Sequence, residues 1–127
     1  MMEKKSHLVF VYGTLMHGYH NHVLLEDAVF LGEAETVEKY RLTYTFFPML
    51  TEPPEVHVKG ELYQVDDEAL ANLDILEDIP HLYQRKKIPI QINQEKHLAW
   101  VYVYTTGEGL YEIPTGNYRD VRPRNFS

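Results

Sequence analysis

An apolar run of strand-forming residues, Leu8-Val-Phe-Val-Tyr12, breaks abruptly at Gly13-Thr-Leu15, close to the first residue of the chain. The chain is therefore expected to lay down a buried strand and turn at once. Beyond a strand that ends in Gly, successive backbone N–H groups can face outward and hold a carboxylate or an oxyanion. Gly13 is equally what any tight turn requires. The local pattern by itself reads as the plain turn, and only a second feature changes that.

Size and composition set the bounds. The 127 residues are the length of one domain, and 44% hydrophobic residues can supply a core. One domain, residues 1–127, is expected, with no linker, repeat or low-complexity segment. The absence of cysteine excludes disulfides, thiolate nucleophiles and Cys-ligated metals. A net charge of −7 argues against nucleic acid or an anionic membrane as partner. The opening Met-Met-Glu-Lys-Lys-Ser-His carries no secretory apolar region, and no apolar run reaches the ~18 residues of a membrane span. The expectation is a soluble cytoplasmic protein, its oligomeric state left open.

Along the chain, strands are expected over Leu8–Tyr12, Ala28–Val37, Tyr40–Phe47, Val56–Val65, Leu82–Ile92 and Leu98–Thr105. Pro48 is expected to end the third strand, Pro53-Pro54 to mark a loop, and Gly60 to mark a bulge. Met16–His22 reads as a polar loop and Val23–Glu26 as a short helical turn. Leu98–Thr105 has apolar or aromatic residues on both faces and should be central. Residues 107–127 lack periodicity and read as an irregular tail or a lid, with Tyr118 and Arg119 placed to close over a ligand.

One helix is clear. Asp66-Asp67-Glu68 supplies cap candidates and first-turn acids, and Pro80 closes the segment after about Asp78. Its apolar stripe is Ala69, Leu70, Leu73 and Leu76. At about 100° per residue, Glu77 projects between Leu70 and Leu73, on the core-facing arc. Partial burial and the helix C-terminus should both raise its pKa, towards the range of a general acid/base. Alternatively, the carboxylate bends out to water or pairs with Arg85. Arg85 and Tyr83 could in turn bind an anion or pair on the sheet surface.

Other constellations are weaker. His17, His20 and His22 lack an acidic partner at metal-ligand spacing, and no metal site is expected. Gly13 and Gly18 lack the Lys-Ser/Thr ending of a phosphate loop. With only two Ser residues, neither in a nucleophile elbow, a Ser triad is not expected.

Taken in order, Val9-Phe-Val-Tyr-Gly-Thr-Leu15, Asn21-His22 with Leu24-Leu25, Gly60-Glu-Leu-Tyr63, Leu73-Asp-Ile-Leu-Glu77 and Tyr83-Gln-Arg85 resemble the γ-glutamylcyclotransferase-like family. This group includes the AIG2-like and YtfP-like proteins and the γ-glutamylamine cyclotransferases. The match runs from about residue 8 to 105, with Ile113-Pro-Thr-Gly116 as an echo in the tail. The resemblance implies an α+β fold: a small, mostly antiparallel β-barrel with one main helix and short flanking helices. It also implies an amidine-lyase or acyltransferase-type cyclisation, in which the substrate's α-amine attacks its own γ-carbonyl and releases 5-oxoproline and an amine or amino acid. By matching position, Tyr12, Gly13, Thr14 and Leu15 would bind the small γ-glutamyl substrate, and Glu77 would be the catalytic acid/base; Tyr83, which follows the helix closely, is counted with the substrate-binding residues. The nucleophile belongs to the substrate, so no cofactor is called for. The family often carries Lys or Arg soon after the turn, where Met16-His17 stand here. A non-catalytic module binding a small carboxylate on the same fold is the alternative.

Overall fold

The computed structural model describes residues 6–44, 48–77, 79, 83–104 and 111–121, with the backbone alone over 52–55. Five strands close a barrel in the order β1 (Ser6–Val11), β5 (Lys59–Asp66), β2 (Val29–Thr36), β6 (Tyr83–Ile92) and β7 (Glu95–Tyr104). Four of the pairings are antiparallel, and β1 meets β7 in parallel at Val9 and Trp100 to close the ring. A second sheet packs β4 (Pro48–Val56) and β8 (Tyr111–Glu112) on either side of β3 (Tyr40–Tyr44). The single α-helix among the described residues, α1 (Asp67–Leu76), follows β5 without a loop.

The alternation of side chains explains the strands that read as apolar throughout. On β1, Phe10 joins one core cluster with Leu42, Leu62, Ile90 and Val101, while Val9 and Val11 join a second with Leu25, Leu70 and Leu73. On β7, Ala99, Val101 and Val103 face the first cluster, and Tyr102 faces the second. Both strands are thus walls between two apolar compartments, the barrel interior and the layer under α1. The Asp66 side chain caps α1 by accepting from Ala69 N–H at 2.8 Å, as the sequence predicts.

Several expectations need correction. Pro48 does not close the third strand but begins β4, which runs through Pro53 and Pro54. The β3–β4 register jumps from Tyr40–Val56 to Arg41–Thr51, so the prolines fall in a bulge of an edge strand, where no ladder donor is required. Gly60 is in regular register with Ala34, and the bulge lies in β2 between Phe30 and Gly32, facing Tyr63 and Leu62 of β5. Gly60 is needed for close approach: a Cβ would lie 2.1 Å from the Val11 carbonyl. The expected strand from Val56 to Val65 is divided at His57-Val58. The tail contributes β8, tied to β3 by an Arg41–Glu112 pair, and a short 3₁₀ helix, Tyr118–Asp120. The expected strand ends at residues 45–47, 82 and 105 and the helix end at Asp78 lie outside the described residues. Among the described residues, no helix is long and apolar enough to cross a membrane.

Candidate active site

The chain leaves β1 at Val11 and turns immediately. Met16 N–H bonds to Gly13 O at 3.0 Å, so Gly13–Met16 form a β-turn with Thr14 and Leu15 at its centre. Gly13 is not there for its backbone freedom, since it is not among the residues of positive φ. A Cβ on it would lie 2.1 Å from Pro48 Cγ, so the start of β4 packs where a side chain at residue 13 would stand. The 3₁₀ helix His20–Leu25 then folds back and holds the turn: Asn21 Nδ2 donates to Thr14 Oγ1 at 2.8 Å, and His22 Nδ1 meets Leu15 O at 2.9 Å.

Beside the turn is a cavity of about 260 Å³ lined by Phe10, Val11, Tyr12, Gly13, Thr14, Leu15, Asn21, Pro48, Leu76, Glu77, Tyr83 and Tyr102. The six residues singled out from the sequence therefore share one cavity wall. Glu77 sits just past the last residue of α1, its N–H bonded to Leu73 O at 3.0 Å. Burial pushes its carboxyl up from the ordinary 4.5 to about 7. Leu76 is 40% exposed and forms the cavity rim rather than core, so the apolar stripe of the helix ends at Leu73.

Three tyrosines surround the carboxyl, and each donates its hydrogen bond elsewhere. Tyr12 Oη donates to Tyr102 O at 2.7 Å and accepts from Leu50 N–H at 3.2 Å. Tyr83 Oη donates to Pro48 O at 2.5 Å. Tyr102 Oη donates to Asp74 Oδ1 at 2.8 Å. Burial raises the pKa of all three, with the Glu77 charge adding to it. They are neutral frame elements, and none of the described hydrogen bonds or ion pairs engages the Glu77 carboxylate.

Arg85 does not pair with Glu77. Its Nη2 donates to Asp74 Oδ2 at 3.1 Å, and its Nε lies 2.9 Å from Oδ1 in ionic contact. The guanidinium also lies over the Trp100 ring, 4.2 Å from its centroid. Asp74 is one helical turn before Glu77, and its pairing with Arg85 anchors the end of α1 to the barrel wall. Tyr102 joins the halves of the site: its carbonyl holds Tyr12, and its hydroxyl holds the helix through Asp74.

Asn21 and Tyr102 line the cavity but are not singled out by residue patterning. Asn21 lies in one of the matched motifs, and Tyr102 points to the opposite face of β7 from Val101 and Val103, which was the available signal. Tyr118 and Arg119 do not close over the cavity. They contact the loop beyond the turn, with Tyr118 against Tyr19 at 5.4 Å between ring centroids.

Residues 9–120 match the family model described as gamma-glutamyl cyclotransferase, AIG2-like. A protein of Methanocaldococcus jannaschii, provisionally named as a gamma-glutamylcyclotransferase, is 38% identical over 117 residues, which are 90% of this chain and 97% of that one. The gamma-glutamylaminecyclotransferase of Bos taurus is 38% identical over 108 residues, covering 77% of this chain and 64% of its own. The crystal structure of an AIG2-like protein from Mus musculus superposes with a TM-score of 0.81 at 30% identity, over 96% of this chain and 99% of that one.

Proposed function

We propose that this chain, which belongs to the gamma-glutamyl cyclotransferase, AIG2-like family, cyclises a γ-glutamyl amine to 5-oxoproline with Glu77 as general acid/base. The observation that carries this reading is the placement of a carboxyl with a pKa of about 7 on the wall of a cavity that also exposes the Gly13–Leu15 turn.

The turn receives the glutamyl end. Its backbone and the Thr14 hydroxyl suit an α-carboxylate, and no Lys or Arg is among the described lining residues. Glu77 as the anion takes a proton from the α-ammonium group. The freed amine attacks the γ-carbonyl carbon, a C–N bond forms, and the oxygen carries the negative charge. Glu77 returns the proton to the departing nitrogen as the original amide C–N bond breaks. In total two protons leave the α-nitrogen, which becomes the lactam N–H. Two reach the departing nitrogen, which leaves as an ammonium ion. Glu77 finishes ionised, as it began. A pKa near neutrality suits both halves of this exchange. Holding the γ-glutamyl chain folded makes the attack effectively unimolecular, and proximity supplies much of the rate.

The leaving group is proposed to be an amine rather than an α-amino acid. Among the described residues, the wall beside Glu77 is Leu76, Pro48 and Tyr83, which give no cation for a second carboxylate. Met16, where relatives often place a base nearby, is 1% exposed and packs in the layer under α1. The test is a panel of γ-glutamyl amines and γ-glutamyl amino acids, followed by detection of 5-oxoproline. Faster turnover of the amines is expected. Preference for amino acids would overturn the substrate assignment, and ligand-dependent thermal stabilisation without turnover of any compound would favour carboxylate binding alone.

A further inference from the structure

On β5, Glu61 shares a face with Tyr63 and Val65, which pack in the layer under α1 with Leu15 and Met16. A carboxylate on such a face is unfavourable unless its oxygens are satisfied. Glu61 is only 7% exposed. Its Oε1 accepts from His17 N–H at 2.8 Å and from Tyr63 Oη at 3.2 Å. Its Oε2 faces Arg119 Nη2 at 3.4 Å, and the same Nη2 donates to His17 O at 2.8 Å. Both backbone polar groups of His17 are thus held by an ion pair. His17 is the residue that follows the Gly13–Met16 turn.

Arg119 comes from the far end of the chain, 102 residues away. It is set by the 3₁₀ helix Tyr118–Asp120, whose Asn117 Oδ1 accepts from Arg119 N–H at 3.0 Å. Its guanidinium lies 5.3 Å from the Tyr19 ring centroid, so it grips the same loop twice. Neither Glu61 nor Arg119 lines the cavity beside Glu77.

We infer that Glu61 and Arg119 are positioning residues, a clamp that fixes the orientation of the substrate-binding turn from the side away from the cavity. The role assigned to the turn rests on the proposed function, whereas the clamp itself does not. With the clamp intact, the N–H groups of the turn are already aimed when substrate arrives. Without it, the substrate must order the loop, and the cost appears in KM rather than in the chemical step.

The experiment uses Arg119→Ala, Arg119→Lys and Glu61→Gln in the full chain. Arg119 is partly exposed, so its removal should leave the barrel folded. In the free protein, amide hydrogen exchange at Leu15–His17 should quicken about tenfold or more in Arg119→Ala, with α1 unchanged. With a γ-glutamyl amine as substrate, KM should rise about tenfold while kcat stays within about threefold. The pH profile should not move. Arg119→Lys should recover part of the loss, because an ammonium group cannot span both His17 O and Glu61 as a guanidinium does. Glu61→Gln should resemble Arg119→Lys, since the amide oxygen still accepts from His17 N–H. Wild-type exchange at Leu15–His17 in Arg119→Ala would overturn the clamp. So would faster exchange spread evenly through the barrel and α1, or a fall in kcat at constant KM. If the wild-type chain turns over no γ-glutamyl compound, the proposed function fails, while the exchange comparison still decides the clamp.

Discussion

Replacing Glu77 by Gln keeps the size of the side chain and removes the group proposed to move both protons. General acid/base catalysis contributes about 10²–10⁴ in rate, so kcat should fall by that factor with KM little changed. The wild-type profile follows from burial of the carboxyl. A base with a pKa of about 7 makes kcat/KM level above neutrality and lowers it about tenfold per pH unit below. Stability should run the other way. The folded-state pKa lies above the ordinary 4.5, so the folded protein binds the extra proton between those values. The associated stabilisation is complete below about 4.5 and is lost as pH rises through about 7. A rise of about 2.5 pH units at 1.36 kcal/mol each amounts to at most about 3 kcal/mol. Gln carries no charge to bury. At pH 8 the Glu77→Gln variant should therefore melt higher than wild type by up to about 10 °C, and at pH 4 the two should converge. Initial rates of 5-oxoproline release and thermal melts across pH 4–9 give both curves. Wild-type activity that holds down to pH 5, or a variant within tenfold of wild type, would refute Glu77 as the proton carrier. A variant that melts lower at pH 8 would refute the burial argument.

Two further substitutions test the frame. Gly13→Ala puts a methyl group onto Pro48, and overpacking of that kind costs about 1–3 kcal/mol, so the variant should melt lower and bind substrate more weakly. A fully active, equally stable variant would show that the β4 contact does not shape the turn. Asp74→Asn keeps an acceptor for Tyr102 but leaves Arg85 without its counter-charge, one helical turn from Glu77. A nearby cation favours the carboxylate, so the acid limb of kcat/KM should move to lower pH. An unmoved limb would mean that Arg85 is electrostatically remote from the site.

The legible parts of this fold are those where one segment carries the whole signal. β1 and β7 are apolar on both faces because each separates two core clusters, and that is visible as an unbroken run. The helix announces itself through Asp66 and through leucines at helical spacing, and Glu77 stands out because it falls among them. What was illegible depends on a partner distant in sequence. Asp74 and Glu77 lie three residues apart on the same helix, and spacing alone does not say which of them Arg85 chooses. Gly13 looks like a turn residue, but the reason for it is Pro48. The prolines at 53 and 54 read as loop because nothing local reveals that their strand is a bulged edge. Glu61 drew no attention from the strand pattern, and its partner Arg119 lies in a tail without periodicity.

The most direct measurement is turnover of a γ-glutamyl amine by the wild-type chain in H₂¹⁸O, with the products resolved by mass. Cyclisation by the substrate's own amine predicts equal amounts of 5-oxoproline and free amine, with no ¹⁸O in the 5-oxoproline. Glutamate carrying ¹⁸O would mean that water is the nucleophile, and would contradict the cyclotransferase mechanism built on Glu77 and the Gly13–Leu15 turn.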